Sequence, residues 1–120
     1  AGGGEALSEW FQVSMLGKDS PISFVYFGDA QNDVKSMWSR IIREAYHTMP
    51  NIDFMLHARD LINRRDRDVE WGEWFHAGRL IHAQVPSVMT PRNHEYRDVK
   101  LSPQWRPQFN LPQNGVPGLE

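Results

Sequence analysis

The sequence contains no cysteine among its 120 residues. Disulfide bonds, thiolate metal sites and cysteine nucleophiles are therefore excluded. No apolar run approaches the ~20 residues that a helix needs to span a bilayer, and no signal peptide is visible at the start. The formal net charge is -2, so the chain as a whole has no electrostatic attraction to nucleic acid or to a membrane surface.

What is present is typical of a globular protein. A hydrophobic content of 40% with 23% charged residues, over 120 residues, predicts one folded domain or a part of one. Residues 1–20 are expected to be a linker or the last strand of a preceding domain, because "EALSEWFQVSML" alternates only imperfectly between apolar and polar residues. Residues 21–120 are expected to form the domain itself.

Hydrophobic periodicity predicts a βαβαβ order with parallel strands, and hence an α/β fold. Asn32 or Asp33 can cap the first helix, and Pro50 ends it. The chain from Arg97 onward is rich in proline and has no periodicity, which predicts a loop. The expected elements are a buried strand at 21–28, a helix at 34–46, a strand at 52–58, a helix at 68–82 and a strand at 85–90.

Polar residues follow each predicted strand at its carboxyl end, the edge where ligands bind in open α/β sheets. Oxygen and imidazole ligands without sulfur suit Mn, Fe, Zn or Mg, and a pair of such ions can clamp a phosphate and activate water. The pattern therefore predicts part of a two-metal hydrolytic site. Its candidate residues are Asp29 and Gln31, Asp60 and Asn63, and Asn93, His94 and Glu95.

The same residues have an ordinary structural explanation. Asp29 and Asn32 can cap the first helix, Asp60 and Asn63 can be turn residues, and "NHEY" can be a surface loop. Spacing alone does not decide between the two interpretations.

Three segments, "FVYFGDAQ", "HARDLINR" and "PSVMTPRNHEY", resemble the first three motifs of the calcineurin-like metallophosphoesterases, in the family's order and at plausible separations. "SEWFQV" and "FNLPQNGVPG" are similar to segments that flank this domain in the purple-acid-phosphatase-like branch, where an immunoglobulin-like domain comes first. The resemblance implies a three-layer metallophosphoesterase sandwich, of which this chain supplies the N-terminal half. It also implies hydrolysis of a phosphate ester by metal-activated water, and suggests a secreted or periplasmic protein.

The resemblance also implies roles for individual residues. Asp29 would be a terminal ligand to one metal, Asp60 would bridge two metals, and Asn93 would bind the other. Asn63 occupies the last position of the second motif and is counted with the ligands. Two divalent or trivalent ions of Fe, Mn or Zn are the implied cofactors.

His94 would act as a general acid near the leaving-group oxygen, and Glu95 would orient it. Arg64 either contacts the phosphate of the substrate or belongs to a solvated charged turn. Histidines outside the three motifs are expected to be packing or surface residues: His47, His57, His76 and His82.

The sequence departs from the family pattern in two respects. Arg59 and Arg92 stand where the family has glycine, which is used where backbone approaches a ligand closely or adopts positive φ. The family also completes its site with histidines from later strands, and no histidine follows His94 here. Both departures predict weak phosphatase activity.

They also leave a second hypothesis open: a non-catalytic module that binds a phosphorylated or acidic partner. In it the two arginines replace metal ions and pair with Asp29 or Asp60. An incomplete domain would also leave apolar surface exposed, which predicts self-association. The arginines around residues 59–67 resemble a nucleic-acid patch, but interleaved aspartates nearly cancel their charge. We therefore expect no nucleic-acid partner.

Overall fold

A computed structural model describes residues 9–14, 17 and 19–112. Its main sheet has three parallel strands in the order β1-β2-β3, and helices connect them, so the predicted α/β class and βαβαβ order are confirmed. The elements are β1 (Phe24–Phe27), a π-helical turn (Val34–Trp38) that continues into α1 (Ser39–Thr48), β2 (Phe54–Ala58), α2 (Asp68–Gln84), β3 (Ser87–Thr90), β4 (Tyr96–Arg97), β5 (Lys100–Leu101) and α3 (Trp105–Gln108). No helix within the described ranges is long and apolar enough to cross a membrane.

Both helices cover the same face of the sheet. The three strands follow one another across the sheet in chain order, so two right-handed crossovers place α1 and α2 on one side. On that side Phe27, Met55 and Met89 are buried. The full core consists of Phe27, Ala30, Val34, Trp38, Ile42, Ile52, Met55, Leu61, Ile62, Trp71, Trp74, Ala77, Ile81, Val85, Met89, Trp105 and Phe109.

The opposite face of the sheet is apolar and largely uncovered in the described part of the chain. Phe24, Tyr26 and Val88 are exposed there, and the Phe24 ring stacks on the Phe54 ring with centroids 5.0 Å apart. The prediction that the first strand is buried is therefore wrong, since within β1 only Phe27 is buried. The strand is one edge of the sheet, and its outward side chains Phe24 and Tyr26 remain exposed in the part of the chain that the structure describes.

The first helix begins without the predicted side-chain cap. Asp33 occupies the N-cap position, but its backbone is left-handed (φ 51°) and its carboxylate makes no capping bond. Its backbone carbonyl instead accepts the N–H groups of Ser36 and Met37, at 3.0 and 2.7 Å. The helix ends at Thr48, two residues before Pro50, as the sequence predicts.

The prediction that everything beyond Arg97 is loop is also wrong. Residues 96–101 form a small antiparallel hairpin. Trp105 and Phe109 are four residues apart, so they lie on the same face of the last helical turn, and their ring centroids are 4.6 Å from each other. Both rings also contact Trp71 of α2, at 6.1 and 5.9 Å. Pro107 is the third residue of α3, where its missing N–H leaves no hydrogen bond unmade.

The sequence analysis also predicts a strand or linker within residues 1–20. The structure describes residues 9–14, 17, 19 and 20 of that segment, and none of these is in a strand. Trp10 is 95% exposed. The other residues of the segment lie outside the described part of the chain.

Two histidines pack inside the aromatic core. His57, on β2, is fully buried among Phe27, Trp38 and Trp74, with ring centroids 5.2 to 5.6 Å away. Neither of its ring nitrogens has a hydrogen-bond partner among the residues that the structure describes. Burial lowers the pKa of His57 to about 3, and the neighbouring His82 contributes in the same direction.

The other imidazole of the pair belongs to α2. His82 lies 5.9 Å from His57 between ring centroids, and burial lowers its pKa to about 4. A kink at Arg79 (φ 38°) interrupts α2 just before it. A Cβ on residue 78 would lie 1.5 Å from the His82 ring, so this close approach requires Gly78. His47 and His76, in contrast, are exposed.

We expect acid to destabilise the fold through this histidine pair. Both pKa values are lower in the folded chain than the ordinary 6.5, so their stabilising contribution is present above pH 6.5 and is lost as the pH falls toward 4 and then 3. Each histidine should cost about 1.4 kcal/mol of unfolding free energy per pH unit in that window. Urea unfolding between pH 7 and pH 5 measures the slope.

The variant His57→Phe should lower that slope by one histidine's share, because it removes one proton uptake on unfolding. His47→Gln, at an exposed histidine, is the matched control and should leave the slope unchanged. Equal slopes in the original chain and in His57→Phe would contradict the assignment.

We also expect the uncovered sheet face to drive self-association. Replacing Phe24 and Val88 by serine should shift the chain toward monomer in sedimentation velocity at several concentrations, because both side chains lie on that face. Met37→Ser removes an equally exposed apolar group on the helical side and is the control. A monomer at all concentrations, or the same shift in the control, would rule out this face.

Candidate active site at the carboxyl edge of the sheet

The loops that follow the three strands meet at one edge of the sheet. The backbone N–H of Ala30, after β1, donates to the carbonyl of Asp60, after β2, at 3.1 Å. The N–H of His94, after β3, donates to Oδ1 of the Asp60 side chain at 3.3 Å. The three sequence motifs therefore converge, and Asp60 lies where they meet.

A buried carboxylate joins the second loop to the third. Oε1 of Glu95 accepts the backbone N–H groups of Leu61 (2.7 Å) and Ile62 (3.4 Å), and Oε2 accepts that of Arg92 (2.9 Å). Glu95 itself is 0% exposed. This one side chain therefore satisfies the amides of Leu61 and Ile62, which are buried, and the part-buried amide of Arg92.

The electrostatic environment of Glu95 contains opposing effects. Burial raises the pKa of its carboxyl group, and the nearby charge of Asp60 acts in the same direction. The three backbone N–H donors oppose the rise, because they stabilise the ionised form. The net pKa of Glu95 lies above the usual glutamate value.

Asp60 is itself nearly inaccessible, with 2% exposure. Its Oδ2 faces the guanidinium of Arg92, whose Nη1 lies 3.4 Å away and whose side chain is 49% exposed. The half-exposed Arg92 side chain thus lies between the buried Asp60 carboxylate and the solvent. The hypothesis that Arg92 pairs with Asp60 is consistent with this contact.

Arg59 behaves differently from Arg92. Its backbone has φ 78°, in the left-handed region that favours glycine, which explains why a glycine suits this position. Its side chain is exposed and makes no ion pair with Asp29 or Asp60 among the residues that the structure describes. Of the two arginines, only Arg92 neutralises a site carboxylate.

The imidazole of His94 has a defined orientation. Its Nδ1 lies 2.6 Å from the backbone carbonyl oxygen of Asn63. Because a carbonyl can only accept, Nδ1 carries the proton in this contact, and Nε2 is the nitrogen left for a bound group. The Glu95 carboxylate, expected to orient His94, contacts backbone N–H groups instead, and the direct contact to the ring comes from Asn63.

A second carboxylate shapes the loop that carries Asn63. Oε2 of Glu70 accepts the N–H groups of Asn63 (2.8 Å) and Arg64 (2.7 Å), and Oε1 pairs with Nη1 of Arg67 (2.9 Å). The sequence analysis did not include Glu70 among its candidate residues. The available signal was an acid in the first helical turn directly after a charged loop.

The remaining predicted site residues lie at the surface of the same edge. Asp29 is exposed, and its carboxylate accepts the backbone N–H (3.3 Å) and the side-chain amide (2.9 Å) of Gln31. Asn93 is exposed, and its backbone carbonyl accepts the N–H of Tyr96 at 3.3 Å. The Arg64 side chain is exposed beside His94's partner Asn63, in a position compatible with either of its two expected roles.

The donor atoms fit a hard metal ion in kind but only partly in number. Carboxylate and amide oxygens suit Mn, Fe or Mg. However, the structure brings no three His, Asp or Glu side chains close enough to hold a metal ion within residues 19–112 or the short N-terminal pieces described.

We expect Glu95→Gln to destabilise the domain by about 1–3 kcal/mol, because the glutamine amide nitrogen would have to face one of the backbone N–H groups that the carboxylate now accepts. Asp29→Asn, at an exposed carboxylate of the same edge, should change stability by no more than about 0.5 kcal/mol. Urea unfolding at pH 7 compares the two. Similar stabilities for both variants would contradict the anchoring role of Glu95.

Comparison with protein-family models, with curated proteins and with solved structures finds no match for this chain. The assignment of a function therefore depends on the motifs and on the geometry of this site.

Proposed function

We propose that this chain carries part of the active site of a metal-dependent phosphoesterase, which hydrolyses a phosphate ester. The observation that supports it best is the position of Asp60. It is buried where the loops after all three parallel strands meet, and the amide of His94 binds its carboxylate. The imidazole of His94 is held through Nδ1 by the Asn63 carbonyl, which leaves Nε2 for a bound group.

In this proposal Asp29, Asp60, Asn63 and Asn93 would hold the metal ions. The bound ions would supply a Lewis acid for the phosphoryl oxygens and activate water at neutral pH. His94 binds the ester at its leaving-group side. Because Nδ1 donates to the Asn63 carbonyl, the proton given to the leaving oxygen comes from Nε2 of the protonated ring.

The second hypothesis is a module that binds a phosphorylated or acidic partner without metal. The specific observation in its favour is the Arg92 to Asp60 ion pair, since a guanidinium beside Asp60 partly replaces the charge of a cation. In this case Arg92 and Arg64 would contact the anionic group directly. The two hypotheses predict opposite effects of removing Arg92.

Mn²⁺ titration by calorimetry distinguishes them. If the site binds metal, Arg92→Ala should tighten Mn²⁺ binding by roughly tenfold, because a nearby positive charge is worth on the order of 1 kcal/mol or more when partly buried. Asp60→Asn should abolish binding. Arg97→Ala, an exposed arginine on β4, is the control and should have no effect.

Turnover of an aryl phosphate in the same samples tests the reaction. We expect a rate below about 1 per second, lost in Asp60→Asn and in the presence of a chelator. Equal Mn²⁺ binding by the original chain and by Asp60→Asn would refute the metal site. Binding of inorganic phosphate that disappears in Arg92→Ala would then support the non-catalytic module.

A further inference from the structure

The carboxylate of Glu70 binds the backbone of the loop after β2. Glu70 is 8% exposed, and it lies in the first turn of α2. One of its oxygens accepts two consecutive backbone N–H groups, from Asn63 and Arg64. Such a pair of adjacent amides forms a small anion-binding concavity, and the Glu70 carboxylate fills it.

Capture of the Arg64 N–H by Glu70 fixes the direction of the Asn63 carbonyl, because the two groups belong to the same planar peptide unit and point in opposite directions. The side chain of Asn63 is exposed. Its backbone carbonyl, however, faces the imidazole of His94, with 2.6 Å between that oxygen and Nδ1. The contacts therefore form a chain that runs from Glu70 through the Asn63 backbone to the ring of His94.

We propose that Glu70 is a positioning residue for His94: by holding the backbone of Asn63, it keeps the proton of the neutral imidazole on Nδ1 and leaves Nε2 for the bound group. The geometric part of this inference stands on the contacts of Glu70, Asn63 and His94. Its catalytic meaning rests on the proposed phosphoesterase function.

A purely structural role for Glu70 is the competing explanation. An acid in the first turn stabilises a helix through the helix dipole. Glu70 also forms an ion pair with Arg67, which would stabilise the same turn. That role would change stability but would leave the tautomer of His94 unaltered. The tautomer is therefore the measurement that separates the two.

Nitrogen-15 NMR of the neutral His94 ring, without metal or substrate, tests the inference. The original chain should show a protonated Nδ1 and an unprotonated Nε2. Glu70→Ala should give a mixture of tautomers, because the Asn63 carbonyl is no longer held. Glu70→Gln should restore the original pattern, since one amide oxygen can still accept both N–H groups. Glu73→Gln, one position after Gly72 on the same helix, is the control.

A protonated Nε2 in the original chain, or an unchanged tautomer in Glu70→Ala, would overturn the proposal. If Glu70→Ala does not fold, Glu70→Asp replaces it, because its carboxylate is one methylene too short to reach both amides and should also give the mixture. The measurement needs neither metal nor turnover. A tautomer that responds to Glu70 in a chain without metal binding would refute the proposed function and leave the positioning contact intact.

Discussion

The buried carboxylate of Glu95 is the interaction on which the candidate site depends. A parallel sheet brings the ends of its strands to one edge, but it does not fix the loops beyond them. Glu95 does so here, because it accepts N–H groups from Leu61 and Ile62 on one loop and from Arg92 on the next. The helix and loops between β2 and β3 do not by themselves provide this alignment. The contact places the amide of His94 on the carboxylate of Asp60.

The same device occurs a second time, with Glu70. Each of these two acids is largely buried, and each binds backbone N–H groups on the loop after β2. Charge-assisted hydrogen bonds to backbone are stronger than neutral ones, and they leave nothing flexible between the acid and the loop. Asp60 and His94 are the groups that can face a ligand. The carboxylates of Glu95 and Glu70 orient them by binding the backbone of the loops, without contacting the ligand themselves. Arg92 contributes the compensating positive charge at the outer surface.

The sequence predicts the larger features of this arrangement well, because they follow from hydrophobic periodicity. The parallel order of the strands follows from the alternation of apolar runs and amphipathic helices, and the meeting of the loops after those strands at one edge follows from that order. The left-handed backbone of Arg59 is one of the two reasons that the sequence analysis gives for a glycine at such a position.

The remaining features depend on contacts that leave no periodic signal. The partners of Glu95 and Glu70 are backbone amides, whose positions are set by the fold rather than by residue type. The burial of Trp105 and Phe109 is another example. These two rings lie in a proline-rich segment and pack against Trp71 of α2, a contact between distant parts of the chain. The exposure of β1 likewise follows from helices lying on one face, which a local apolar run does not reveal.

Amide hydrogen exchange measured residue by residue tests the central claim most directly. Leu61 and Arg92 lie outside the helices and strands, so their amides would exchange rapidly unless a partner holds them. If Glu95 joins the two loops, both amides should be protected nearly as strongly as those of β2, and both should lose protection together in Glu95→Ala while amides of β1 keep theirs. Rapid exchange of Leu61 and Arg92 in the original chain would contradict the account.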